Sequence, residues 1–130
     1  MSGSKIKIEE HDYITVDNNR SRIYFTQRNQ PHTLRCISLG GAPTFAYTDD
    51  QLKGTAGVAL DRDGNVYVCG SYSNNVHQIS PDGVLIRTID VGMKNPYCIC
   101  FNNTGDHMAV VNNIDGKIRQ LSVMRFALPI

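Results

Sequence analysis

Self-similarity at a fixed spacing limits how this chain can fold more than any other feature. Three segments share the pattern apolar-x-x-apolar: Leu34-Arg35-Cys36-Ile37, Val76-His77-Gln78-Ile79 and Ile118-Arg119-Gln120-Leu121. Their first residues stand 42 apart both times. Upstream of each lies an apolar triplet, Ile23-Tyr24-Phe25, Val66-Tyr67-Val68 and Met108-Ala109-Val110, spaced by 43 and 42. A third set precedes these: Ile14-Thr15-Val16-Asp17, Val58-Ala59-Leu60-Asp61 and Ile99-Cys100-Phe101-Asn102, spaced by 44 and 41. Three registers agreeing on a period near 42 mean one supersecondary unit made three times, each copy burying its apolar faces against its neighbours.

The middle copy gives the content of the unit. Gly57 to Leu60 reads as a strand, and Asp61-Arg62-Asp63-Gly64-Asn65 as a hairpin turn, because Gly and Asn tolerate positive φ. Val66 to Cys69 is the second strand, followed by a polar loop from Gly70 to Asn75. Val76 to Ile79 is the third strand, Ser80-Pro81-Asp82-Gly83 a turn, and Val84 to Ile89 the fourth strand. Strands this short at this spacing are antiparallel, and no segment carries a capped 3.6-residue apolar period. The fold class is therefore all-β: a partial β-propeller of about three four-stranded antiparallel blades, near 11–52, 53–93 and 94–130. The first strand of each unit is expected to be buried on both faces, as a strand between neighbouring blades would be.

Charge and composition narrow the function. The chain has 130 residues and a net charge of +1, so there is no long-range pull on a polyanion. No apolar run is long enough to cross a membrane, and residues 1–10 lack the apolar core of a secretion signal. The expected setting is cytoplasmic, with the sequons at Asn19 and Asn102 as chance matches. Cys36, Cys69, Cys98 and Cys100 form no C-x-x-C pair, and the reading is of small buried core residues rather than a zinc site.

The run from Gly57 to Val68, followed by Asn75 to Gly83, resembles an NHL repeat. It is most similar to the C-terminal propellers of tripartite-motif proteins, many of which are ubiquitin ligases. The flanking units follow the strand pattern, but Asp17-Asn18-Asn19-Arg20-Ser21 and Asn102-Asn103-Thr104-Gly105-Asp106 replace the D-x-D-G-N turn. The family's Asp after the second strand is replaced by Arg28, Gly70 and Asn113. The resemblance implies a ring of about six blades, of which this chain supplies half. It also implies a substrate-recognition role, with ligase activity only in a longer parent that carries a RING domain.

Candidate sites follow from the topology. Loops after the second strand of each unit, and those leading into the next first strand, share one rim. They hold Arg28, Gln30, His32, Tyr72, Asn74, Asn75, Lys94, Tyr97, Asn112, Asn113 and Lys117. Such amide, aromatic and basic groups suit a protein partner or peptide, or alternatively single-stranded RNA. Arg35, His77 and Arg119 align on the third strands as a solvated basic row. Asp61-x-Asp63-x-Asn65 resembles the start of a calcium loop, but Val66 and Tyr72 stand where its Gly and Glu belong, so it reads as a turn. A lactone-hydrolase propeller would need carboxylates converging on the channel, where the first strands offer Thr15, Val58 and Cys100. The sequence therefore reads as a non-catalytic interaction module with no cofactor and no metal ligands. Its open end faces, expected to carry Ile14, Val16, Ile23, Phe25, Phe101 and Val110, suggest self-pairing into a closed ring. Ile6 and Ile8 could add one capping strand.

Overall fold

The computed structural model describes residues 12–126. Eleven strands form three antiparallel sheets. The first sheet is β1 (Tyr13–Asp17), β2 (Arg22–Gln27), β3 (Gln30–Ser38) and β4 (Pro43–Tyr47), in that spatial order. The second is β5 (Thr55–Leu60), β6 (Val66–Gly70), β7 (Asn75–Ile79) and β8 (Leu85–Asp90). The third holds β9 (Pro96–Phe101), β10 (His107–Asn112) and β11 (Leu121–Arg125), in the order β11-β10-β9. The described residues contain no helix, and none of their segments is a helix long and apolar enough to cross a membrane. The all-β expectation holds, with three strands rather than four in the third sheet among the described residues.

Each sheet is a meander, and its tight turns carry their chemistry in the sequence. Between β5 and β6, Asp61 Oδ1 accepts the Asp63 and Asn65 amides at 3.0 and 2.9 Å. Its Oδ2 accepts Asn65 Nδ2 and the Tyr67 hydroxyl, both at 3.0 Å. Gly64, with φ +83°, closes the turn. The carboxylate is fully engaged in the hairpin, as the turn reading requires.

The sheets stack as blades, with β1, β5 and β9 side by side. One apolar core lies between the first two: Tyr24, Leu34, Cys36, Tyr47 and Leu52 meet Val66, Val68 and Ile79. A second lies between the last two: Tyr67, Cys69, Val76 and Ile89 meet Met108 and Val110, with Phe101, Met124 and Phe126 at its border. β6 serves both cores by alternation, and all five of its residues are buried. Gly57 lets β5 and β9 close. A Cβ there would stand 2.6 Å from the Tyr97 carbonyl and 3.0 Å from the Cys98 Cα, both backbone atoms that cannot swing aside.

Three expectations change. The first strands are not buried on both faces. Ile14 and Val16 on β1 are exposed, and Cys98 and Cys100 on β9 are exposed while Cys36 and Cys69 are buried. Among the described residues only the middle sheet has a neighbour on each side, so the outward faces of β1 and β9 have none there. The end-face assignment also divides. Val110 and Phe101 point to the second sheet, and Phe25 is buried with the Arg35 guanidinium 5.6 Å from its ring centre. The open face of the third sheet carries instead Cys98, Cys100, Leu121 and Val123, the last two 65% and 61% exposed. Finally, residues 118–120 are not in a strand, because β11 starts at Leu121. The strand expected from Ile6 and Ile8 lies outside the described residues.

Candidate functional site

Antiparallel meanders bring the loop after each second strand and the loop before each next first strand to the same rim. There the three blades enclose a cavity of about 510 Å³. The first blade contributes Tyr13, Arg28, Pro31 and His32. The second contributes Gly54, Thr55, Ala56, Ser71 and Tyr72, and the third Tyr97 and Asn113.

Hydrogen bonds tie these loops together. Gly54 N–H donates to His32 Nδ1 at 3.0 Å, which leaves Nε2 as the protonated, donating nitrogen of a neutral imidazole. Ser71 N–H donates to the Gly54 carbonyl at 2.8 Å and Tyr72 N–H to the Lys53 carbonyl at 3.0 Å. Asn74 and Asn95 both adopt positive φ, 58° and 57°, a conformation asparagine tolerates. Asn95 N–H donates to Asn74 Oδ1 at 2.9 Å, and Asn95 Nδ2 donates to the Asn113 carbonyl. The rim is thus joined from blade to blade.

Aromatic rings form the inner wall. Tyr13 and Tyr97 meet edge to face at 5.3 Å. The Tyr13 hydroxyl is buried without a hydrogen bond of adequate geometry, and burial, with the Tyr97 side chain beside it, pushes its phenol up, which keeps it protonated. Tyr72 is 72% exposed at the mouth.

Of the rim residues expected from sequence, the cavity gathers Arg28, His32, Tyr72, Tyr97 and Asn113. Gln30 lies in β3, which starts after a turn at residues 28 and 29 rather than after a long loop. Lys94 and Lys117 are exposed elsewhere. Asn75 is a brace, its Nδ2 donating to the Gln51 carbonyl at 2.9 Å, and Asn112 is wholly buried. Tyr13 and Thr55 stand just before the first strands expected at Ile14 and Gly57, and neither is among the candidate rim residues expected from sequence. Each begins a first strand, and that position faces this rim.

The solvated basic row does not form. His77 is 0% exposed, its Nδ1 2.9 Å from the Tyr47 hydroxyl and its Nε2 3.2 Å from the Gln51 carbonyl. Burial lowers its pKa, partly countered by the Gln51 hydrogen bond and by Asp49. Arg35 is half-buried and Arg119 exposed outside any strand. A third strand has its inner face in a core, and position 77 falls on that face.

Residues 6–112 match a family model described as SMP-30/Gluconolactonase/LRE-like region. No curated protein matches the chain. Hydrazine synthase of Kuenenia stuttgartiensis is structurally similar, with a TM-score of 0.75 at 18% identity over 95% of this chain and 35% of that one. The calcium-binding protein regucalcin of Agrobacterium tumefaciens str. C58 has a TM-score of 0.61 at 21% identity over 76% and 36%. The chain therefore spans about a third of either structure. The family matched differs from the NHL-repeat family that the runs Gly57–Val68 and Asn75–Gly83 resemble, and the two have the propeller in common. Calcium takes oxygen ligands, with carboxylates prominent among them. No cavity residue carries a carboxylate, and Arg28 adds positive charge. These residues do not fit a calcium ion, and among the described residues no three of His, Cys, Asp and Glu cluster to hold a metal.

Proposed function

The chain belongs to the SMP-30/gluconolactonase/LRE-like family, and from that premise we propose that it is a partner-binding arc of a propeller, holding a polypeptide segment in the rim cavity and performing no lactone chemistry with its own residues. The supporting observation is the composition of that cavity. Three blades supply three tyrosines, an arginine, a histidine and an asparagine, and no acid. Metal-assisted hydrolysis needs a held cation and an activated water. Asp17 and Asp61, by contrast, lie in the turns of the opposite rim, bonded to Arg20 N–H and to the Asp61–Asn65 hairpin.

Tyrosine rings beside a guanidinium give large contact area with directional polar contacts, a composition favoured at protein interfaces. Protein recognition, as in the tripartite-motif propellers that the middle blade resembles, requires only such a surface. RNA binding draws its affinity from many phosphate contacts. Arg28 alone among the lining residues is a fixed cation, so the peptide reading is the better supported.

Panning a random-peptide phage library on the immobilised chain tests this. Enriched peptides should share a motif and bind the wild type, and should lose about tenfold in affinity, ~1.4 kcal/mol, on Tyr72→Ala, whose exposed ring leaves the cores untouched. Failure to enrich any motif, or calcium-dependent hydrolysis of gluconolactone by the purified chain, overturns the reading.

A further inference from the structure

The groups lining the rim cavity are not a neutral mixture of donors and acceptors. Tyr13 brings a buried, protonated hydroxyl that lies beside Tyr97 but makes no hydrogen bond of adequate geometry. A buried polar atom without a partner costs roughly 1–3 kcal/mol, and its persistence asks for an explanation. His32 has its Nδ1 occupied by the Gly54 amide, so its remaining ring nitrogen is a donor. Arg28 offers five N–H donors in a planar fork. Two backbone acceptors nearby are already used: the Gly54 carbonyl takes the Ser71 amide and hydroxyl, and the Asn113 carbonyl takes Asn95 Nδ2, while the Asn113 side-chain amide and the Tyr72 and Tyr97 hydroxyls can act in either sense. Ser71 and Thr55 point their own hydroxyl protons into backbone carbonyls, at 2.9 and 3.3 Å. The lining is thus weighted toward donors, with one fixed positive charge and no carboxylate among its residues, although Asp12 beside it accepts the Arg28 amide at 2.9 Å.

We propose that this cavity is a carboxylate site, in which the ligand's anionic oxygens accept from the Tyr13 hydroxyl, His32 Nε2–H and the Arg28 guanidinium while the tyrosine rings hold the apolar part beside it. The inference rests on the reading of the cavity as the binding site and specifies which chemical group enters it. A planar two-oxygen anion matches the arginine fork. In a polypeptide partner the group is a free C-terminus or an acidic side chain.

The test is an amide NMR titration of the whole chain with N-acetylphenylalanine and, separately, with its carboxamide. The acid should shift the Gly54, Tyr72 and Asn113 amides saturably, and the carboxamide should bind at least about tenfold more weakly. Tyr13→Phe should weaken the acid severalfold, leave the carboxamide unchanged and not lower the stability of the unliganded protein, because the hydroxyl removed makes no hydrogen bond of adequate geometry. Arg28→Gln should abolish the preference for the acid. Equal binding of acid and carboxamide overturns the carboxylate assignment while leaving a binding cavity. Silence from both, with a library peptide still binding, overturns it in the same way. Silence from both with no library peptide overturns the reading beneath it as well. Displacement of the acid by an equal concentration of inorganic phosphate would make the site a general anion hole and defeat the carboxylate assignment. Lower stability of Tyr13→Phe with unchanged acid affinity would give the hydroxyl a structural role only and also overturn it.

Discussion

At the scale of single residues, His77 shows how a position in a repeat can mislead about its environment. Its neighbours in register, Arg35 and Arg119, are cations with access to water, and the sequence alone makes the three equivalent. What separates them is Tyr47, whose hydroxyl reaches His77 Nδ1 across the blade interface, and Gln51, whose carbonyl takes Nε2–H. A neutral imidazole satisfies both contacts. Burial is the main reason that the folded pKa lies below its ordinary value of 6.5. As pH falls, the unfolded chain therefore takes up the proton first. Stability from this residue is full above about pH 6.5 and is lost as pH falls below it toward the lower folded value. We expect urea midpoints to hold steady down to about pH 6.5 and then decline, with a limiting slope of about 1.4 kcal/mol per pH unit for one proton. His77→Gln should flatten that decline whatever its effect on absolute stability, and an unchanged slope in the variant would show that another group is responsible.

At the scale of elements, the repeat reading located nine of the eleven described strands to within a few residues, gave β4 no position of its own and misplaced one. The letters Ile118-Arg119-Gln120-Leu121 repeat the pattern of β3 and β7, yet β11 begins only at Leu121. Asn112 decides this. Its buried Oδ1 accepts the Arg119 and Gln120 amides at 3.1 and 2.8 Å, and its Nδ2 donates to Gln120 Oε1 at 2.9 Å. These bonds hold residues 113–120 as a side loop and delay the pairing of β10 with β11. No periodicity reports a side chain bonding backbone amides seven and eight residues ahead, so this slip was not legible in the sequence. The turns were legible, because Asp61 and Gly64 carry their own local chemistry. Asn112→Ala removes all three bonds, each part-buried, which should cost about 1–3 kcal/mol. Hydrogen exchange at Arg119 and Gln120 should accelerate well beyond that at Tyr67 and Val68. Uniform acceleration would instead mean that the loop is not held locally.

At the scale of the whole molecule, the number of neighbours governs exposure. The middle blade is covered on both sides, while the third presents Cys98, Cys100, Leu121 and Val123 to solvent and the first presents Ile14, 55% exposed, and Val16. A contiguous apolar face of this kind is unusual in a soluble monomer. The contact that seats β9 against β5 could equally seat the first blade of one copy on the third blade of another, and twice three blades would close a ring. Light scattering after size exclusion should give twice the 14.5 kDa chain mass, and Val123→Glu should return it to one. A wild-type monomer with a melt indifferent to dilution would refute pairing. The fold class was legible because patterning repeats. Burial of individual faces was not, because it depends on what lies beside a blade. The complete enclosure of β6 also has a consequence in time. Emerging from the ribosome, the second sheet, which ends at Asp90, must wait for the chain to reach Phe126 before the side of it bearing Tyr67 and Cys69 is covered, roughly 2–7 s at ~5–20 residues per second. During every round of synthesis that side is a bare apolar surface on a half-made chain, and in that interval chaperones and proteases have their best access to it.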